Sequence, residues 1–276
     1  MSDSAQVQLP SVAGVYDYYL GGTAHRAIDR RFGDQVLTMF PLVRPIARAN
    51  RSFLRRAVRH LVRCGVRQFV DIGAGMPGEG STHTIADTPA PGASRVAYVD
   101  NDAGAVAHAR SLIAESGDPA RHAIVHADLR DPDELWRHVG DTGIIDLTEP
   151  VGLLMIAVLH LRQSDENGTD VGARAVARYR ELLPARSYLA ISHATKEDVP
   201  DEVKATLAGA GAMYGGNGSR TVWRTRREVT ELFGEFELVA PGVTWAPLWG
   251  DEESANASSF TTPNESGILA GVARKS

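Results

Sequence analysis

Lysine is nearly missing from this chain. Lys196, Lys204 and Lys275 are the only three among 276 residues, so arginine supplies most of the positive charge, and the net charge is still −5. The lysine shortage reads as genomic base composition. The acidic balance, with a pI near 6.0, argues against nucleic acid or an anionic membrane as a partner. Cysteine occurs once, at Cys64, which excludes a disulfide framework and a cysteine-rich metal site. No His-x-x-x-His pair or carboxylate cluster takes its place, so no metal is expected. Long apolar runs are missing as well: the longest, 151–161, is too short to span a bilayer. The first ten residues, MSDSAQVQLP, lack a basic-then-apolar leader. A soluble cytoplasmic protein is the expectation. Its size suits one large domain or a domain with an appended element. No internal repeat is visible.

What the chain has is a glycine-rich centre at 67–80, RQFVDIGAGMPGEG. Residues 68–72 read as a buried strand, because apolar positions 69, 70 and 72 are continuous rather than alternating. Gly73, Gly75 and Gly78 follow, and a backbone without Cβ atoms can turn sharply and lie against a ligand. Asp71 sits at the carboxyl end of the strand, where open α/β sheets bind ligands.

The first third reads as helical: about 11–20, 24–40 and 43–64, with Gly21-Gly22, Pro41 and Gly65 as stops. Residues 1–9 are polar and expected to be disordered. After the glycines the pattern becomes strand–helix–strand. Strands are expected at 95–99, 123–126, 151–159 and 188–192, ending near Asp100, Asp128, His160 and His193. Helices are expected at 103–115, 132–139, 172–183, 199–212 and 226–233, with a glycine-rich loop at 215–218. Late strands at 236–239 and 268–272 bracket a polar hairpin loop, 250–266, and suggest an antiparallel pair at one edge. The fold class is α/β: a doubly wound, seven-stranded, mostly parallel sheet with an N-terminal helical lid. A boundary near residue 64 divides the lid, 1–64, from the sheet domain, 65–276.

The glycine run fits two chemistries. Gly73–Gly78 matches G-x-G-x-x-G, and Asp100 lies 22 positions after Gly78, near the ~20 expected for a ribose-binding acid of an NAD-dependent oxidoreductase. Against this, residues 76–80 make a poor helix start, whereas a pyrophosphate needs a helix N-terminus. Glu79 adds a like charge beside the phosphates. Asp71 would repel a pyrophosphate but accept from an ammonium, and Asp128 suits an adenine amino group. Acid, glycines, acid, acid at successive strand ends is the pattern of class I methyltransferases that use S-adenosylmethionine.

Seven segments resemble a bacterial family of such methyltransferases, formerly a domain of unknown function. They are VYDYYLGG (15–22), ARANRSFLRRAVR (47–59), RQFVDIGAGMP (67–77), YVDND (98–102) with AHAR (107–110), ADLRDP (127–132), AVLHL (157–161) and YLAISHAT (188–195). The resemblance implies S-adenosylmethionine as cofactor, bound by Asp71, Gly73, Ala74, Gly75, Asp100, Asn101, Asp128 and Leu129. Asp100 would hold the ribose hydroxyls, although a helix N-cap would look similar. Relatives carry Lys-Asp-Asn and an aromatic after the glycine pair. This chain has Thr23-Ala24-His25-Arg26, so no acceptor carries over.

Methyl transfer from a sulfonium needs positioning and exclusion of water more than acid–base chemistry. His160 and His193 are the candidate bases; both could equally be core histidines bonded to carbonyls. Tyr16 and Tyr19, with His160, are candidates to line the pocket of a small-molecule acceptor, or plain packing residues. Arg51 is the candidate for the cofactor carboxylate. A cofactor-binding protein without catalysis is the remaining alternative.

Overall fold

The computed structural model describes residues 9–78, 80–89, 91–216, 220–250 and 260–276. The expectations for residues 1–8, Glu79, residues 217 and 218 and most of the polar stretch 250–266 fall outside the described residues. The central apolar run forms β1 (Gln68–Ile72), buried along its whole length. Val70 and Ile72 join one apolar core and Phe69 the other. β2 (Arg95–Asp100), β3 (His122–His126), β4 (Gly152–Ile156) and β5 (Tyr188–Ala194) extend the parallel sheet. They divide in the same way: Val99, Leu153 and Ile191 face one core, Tyr98, Leu154 and Ala190 the other. A sheet covered on both sides needs apolar residues at successive positions, which is why these strands do not alternate.

β8 (Ile268–Arg274) lies antiparallel to β5. β6 (Glu237–Leu238) and β7 (Thr244–Trp245) both pair with its outer edge. The order is β3-β2-β1-β4-β5-β8-β6, with β7 also on β8. The expected seven strands become eight because the edge strand is interrupted. Pro241, between β6 and β7, has no N–H to give a ladder. Two strand ends also differ from expectation. β4 stops at Ile156, where Ala157 turns out of line with φ +59°, so His160 lies in the loop beyond. β5 continues to Ala194, which puts His193 inside the strand opposite Leu269.

The helices are α1 (Val12–Leu20), α2 (Ala27–Met39), α3 (Val43–Arg63), α4 (Thr82–Asp87), α5 (Ala103–Ser116), α6 (Pro132–Asp141), α7 (Gly172–Leu182), α8 (Asp201–Gly216) and α9 (Arg226–Glu231). Ser11 caps α1 by accepting from Gly14 N–H at 3.3 Å, and Asp131 with Pro132 opens α6. α4 is a single short stretch that sequence periodicity did not reveal. Gly215 and Gly216, expected in a loop, prolong α8 instead. α3, α4 and α5 pack on one face of the sheet and α6, α7 and α9 on the other.

α1 and α2 make a separate small core with the start of α3 and with α8, through Val15, Tyr19, Val36, Phe40, Val203 and Leu207. α3 joins both units: Ala47 belongs to this core, while Phe53, Leu54, Val58 and Leu61 lie on the sheet. Packing therefore does not follow a division at residue 64.

Candidate functional site

Beyond the carboxyl ends of β1, β2 and β4 lies one cavity of about 610 Å³, walled also by residues of α1, α3 and α8. Sheet order reverses between β1 and β4, the place where open α/β sheets bind ligands. The volume falls in the range of small-molecule sites, roughly 300–1,000 Å³.

The glycine loop forms the floor. Gly73 and Ala74 both donate to Val99 O, at 2.9 and 3.2 Å, which folds the loop over β2. The two first glycines serve different ends. Gly73 has φ +72°, and a Cβ there would lie 2.6 Å from the Val158 side chain. Gly75 has φ +65°, but a Cβ there would meet only Ala13, at 3.8 Å. The first is required by packing within the chain; the second faces open space. No helix begins in the loop, because α4 starts at Thr82, so no helix N-terminus is offered to a pyrophosphate.

Carboxylates gather around this floor. Gly75 N–H donates to Asp100 Oδ2 at 2.8 Å, and Asp102 N–H donates to Asp100 Oδ1 at 2.9 Å. The helix cap of α5 is Asp102, which accepts from Ala105 N–H at 2.9 Å. Asp100 is thus free of that task, and each of its oxygens keeps accepting capacity. Burial raises its carboxyl above the usual range. Asp71 accepts from the Thr82 hydroxyl at 2.7 Å. Burial pushes the Asp71 carboxyl up to about 6, with the Thr82 hydrogen bond and the Arg51 charge pulling the other way. Asn50, 2 % exposed, donates Nδ2–H to the Tyr16 hydroxyl at 3.0 Å, while its Oδ1 is buried without a partner. A buried amide oxygen left unpaired is costly unless a donor fills the space.

This donor set fits S-adenosylmethionine: carboxylates for its ammonium and ribose hydroxyls, Arg51 for its carboxylate, and an orphan acceptor at Asn50. It does not fit a ligand with two phosphates.

Among the residues expected at the site, Asp71, Gly73, Ala74, Gly75, Asp100, Asn101, Leu129, Tyr16, Tyr19, Arg51 and His160 all line the cavity. Asp128 does not. Its carboxylate is engaged by the Arg130 guanidinium, at 3.0 Å from Nε and 2.5 Å from Nη2. Burial works against the Asp128 carboxylate, but Arg130 more than offsets it and holds the carboxyl below its usual range. The cavity wall there is made by Ala127, Leu129 and Arg130. His193 does not line the cavity either. Its Nδ1 faces Ala194 O at 2.8 Å, and Arg224 reaches its Nε2. Leu159 O also faces its Nε2, at 3.1 Å. Burial first, then His160 and Arg224, pushes His193 down to about 3, as expected of a core histidine.

The far end of the cavity is apolar and aromatic. Tyr19, Phe40, Leu207, Tyr214 and Trp223 meet there, and the Tyr214 hydroxyl donates to that of Tyr19 at 3.0 Å. Lys196 lies over the Trp223 ring, 4.3 Å from its centroid. His160 also lines the cavity, and its Nδ1 is buried without a partner. Burial, aided by the Arg224 charge, pushes His160 down to about 4.

Sequence reasoning missed Asn50, Arg130, Tyr214 and Trp223. Asn50 had a signal: it is a polar residue on the apolar stripe of α3, one turn from Ile46 and Leu54. Arg130 had one too, two positions from the acid it pairs with. Tyr214 and Trp223 are brought in by folding alone. Among the described residues no group of three or more His, Cys, Asp or Glu could hold a metal ion, and no helix is long and apolar enough to cross a membrane.

The sequence pattern of a family described as S-adenosyl methyltransferase matches residues 1–276. A solved structure from Thermobifida fusca, described as a candidate methyltransferase, is 31% identical. The match covers 99% of each chain, with a TM-score of 0.84. A DUF574-family protein from Streptomyces avermitilis is 33% identical over 97% of this chain and 98% of its own, also with a TM-score of 0.84. A Burkholderia thailandensis 1,6-didemethyltoxoflavin-N1-methyltransferase, solved with that compound and S-adenosylhomocysteine, is 17% identical. It covers 100% of this chain and 98% of its own with a TM-score of 0.51, a likeness of fold. No curated protein matches the chain.

Proposed function

The chain belongs to the S-adenosyl methyltransferase family and is an S-adenosylmethionine-dependent methyltransferase; from that premise we propose which residues hold the cofactor and that the acceptor is a small molecule. Asp100 takes the ribose hydroxyls, and the observation that carries this is its carboxylate in the cavity wall with helix capping left to Asp102. Leu129 and Asn101 flank the adenine. The loop at Gly73, Ala74 and Gly75 passes beneath the sulfonium end. Asp71 and Asn50 Oδ1 accept from the ammonium, and Arg51 meets the carboxylate. Asp128 acts indirectly, by fixing Arg130 at the cavity wall.

Bound in this way, the cofactor supplies an activated methyl group. The protein then has to orient an acceptor and keep water away. Tyr16, Tyr19 and the apolar end of the cavity serve both needs, and α1 and α2 cover that end. A cavity of about 610 Å³ has room for a small acceptor beside the cofactor.

Calorimetric titration of S-adenosylmethionine, S-adenosylhomocysteine and NAD tests the assignment. The two sulfur compounds should bind and NAD should not. Asp100→Ala should weaken both at least about tenfold, since hydrogen bonds to a charged group are worth roughly 1.5–3 kcal/mol. Unchanged affinity in a folded Asp100→Ala protein removes that residue from the site.

A further inference from the structure

Two residues that line the cavity each hold a polar atom buried without a partner, Asn50 Oδ1 and His160 Nδ1. They lie with different company. Asn50 belongs with Arg51 and Asp71 at the end assigned to the cofactor. His160 follows β4 and lies beside His193 and Arg224, close to the segment that carries Trp223. The cofactor assignment therefore uses one orphan and leaves the other without a role.

The walls around the unassigned space are specific in chemistry. Tyr16, Tyr19, Phe40, Tyr214 and Trp223 supply five aromatic rings. The lining residues contributed by α8 and by the chain from there to Trp223 are Leu207, Ala210, Gly211, Tyr214, Thr221 and Trp223, none of them charged. Aromatic walls favour a flat aromatic ligand, through ring stacking and edge contacts added to plain burial. An uncharged wall on that side disfavours an ionised one, because its desolvation would go unrepaid there. Outside the cofactor end the polar groups of the lining are hydroxyls, Gln163, the His160 nitrogen and two charged side chains already engaged by the chain itself, Asp17 by Ala24 and His25 N–H and Arg162 by Gly168 O. An unpaired imidazole nitrogen in a dry wall is satisfied by an O–H donor.

We infer that the methyl acceptor is an uncharged, planar aromatic molecule bearing a ring hydroxyl, and that the hydroxyl hydrogen-bonds to His160. The inference rests on the cofactor assignment above and names the substrate class for the same cavity. The chemistry balances. A lone pair on the hydroxyl oxygen forms the new bond to the methyl carbon while the carbon–sulfur bond breaks, its electron pair staying on sulfur as a thioether. The oxygen becomes strongly acidic as it is methylated, so the neutral imidazole takes its proton and passes it to water. Burial keeps His160 unprotonated and ready to accept across the physiological range. The protein supplies no other co-reactant.

The test uses the full chain saturated with S-adenosylhomocysteine, with binding read by calorimetry. Four probes separate the features: 2-naphthol, 2-methoxynaphthalene (flat, no donor), decahydro-2-naphthol (a hydroxyl, not flat) and 2-naphthoate (flat, charged). 2-Naphthol should bind at least about tenfold tighter than each of the others, the size of effect a hydrogen bond in a dry site gives. His160→Phe should keep S-adenosylhomocysteine affinity within about twofold and lose the preference for 2-naphthol over its methyl ether. His160→Asn, which restores an acceptor, should recover part of it. A residue with a purely structural role would weaken both probes together. Preserved preference in His160→Phe, or equal binding of all four probes, overturns the inference while the cofactor reading stands. Failure of S-adenosylhomocysteine itself to bind the native protein overturns the cofactor reading and this inference with it.

Discussion

The two ends of the cavity are built from different materials. At the strand end, Asp71, Gly73, Gly75 and Asp100 come from two adjacent strands and their loop, spaced by a hydrogen-bonded ladder. At the helical end, Tyr19, Phe40, Leu207 and Tyr214 come from segments nearly two hundred residues apart, held by apolar packing. Strand ends fix polar groups to a ladder's geometry; helices pack whatever apolar side chains fill the space. On the proposed reading the first end serves a cofactor shared by a family, and the second is free to vary with the acceptor.

The sharpest test of this contrast lies within the strand end. Gly73→Val should destabilise the protein by about 3 kcal/mol or more. A Cβ there overlaps the Val158 side chain and sits at φ +72°; overpacking costs roughly 1–3 kcal/mol and a left-handed backbone roughly 1–2. Gly75→Ala carries only the backbone strain, about 1 kcal/mol, because its Cβ has room. Denaturant unfolding of the two variants should separate them clearly. Equal losses would mean that the loop is one packing unit and that Gly75 has no distinct relation to the cavity.

Asp71 gives an effect of similar size but one that depends on pH. Its carboxyl is raised to about 6 in the folded protein, against about 3.9 in an unfolded chain. Ionising it therefore opposes folding. The penalty is absent below about pH 4, grows as pH rises through the folded value, and is full above about 6. Two units correspond to roughly 3 kcal/mol. Asp71→Asn should thus match the native protein near pH 4 and exceed it in stability at pH 7.5, measured without ligand. The same change should weaken S-adenosylmethionine binding at pH 7.5, because the ammonium loses an anionic partner. Parallel stability curves for the two proteins from pH 4 to 7.5 would show that Asp71 is not the buried charge it is taken to be here.

The same contrast explains what could be read from the sequence. The parallel strands were legible because both faces are buried, so β1, β2 and β5 stand out as continuous apolar runs. Strand-end acids and glycines followed directly. The split edge was not, because β6 and β7 have two residues each and carry no period. Asp128 does not line the cavity because Arg130, two positions on, folds back on it, a pairing whose spacing was there to read but was not used. His193 read as a strand end only because β5 runs two residues farther than its apolar core. Tyr16 and Tyr19 could be suspected as aromatics before the first strand. Tyr214 and Trp223 could not, since only the packing of α8 against α1 and α2 brings them to the same cavity.

The smallest effect belongs to the helical end. The Tyr214 hydroxyl donates to the Tyr19 hydroxyl at 3.0 Å. Burial pushes Tyr19 up to about 12 and Tyr214 well above its ordinary value, so both phenols stay neutral at physiological pH. A neutral hydrogen bond contributes about 1 kcal/mol net. Phenylalanine keeps the ring of residue 214, and with it the edge contact to Phe32 at 5.2 Å; only the hydroxyl is lost. Tyr214→Phe should therefore lower the Tm by about 2 °C, the shift expected for 1 kcal/mol in a chain of this size. S-adenosylhomocysteine affinity should stay within about twofold, because this hydrogen bond joins α1 to α8 and touches no residue of the strand end. Binding of 2-naphthol should change more than cofactor binding does. A cofactor loss as large as that of Asp100→Ala would join the two ends of the cavity into one cooperative site, with α1 and α8 reporting directly on the ribose pocket.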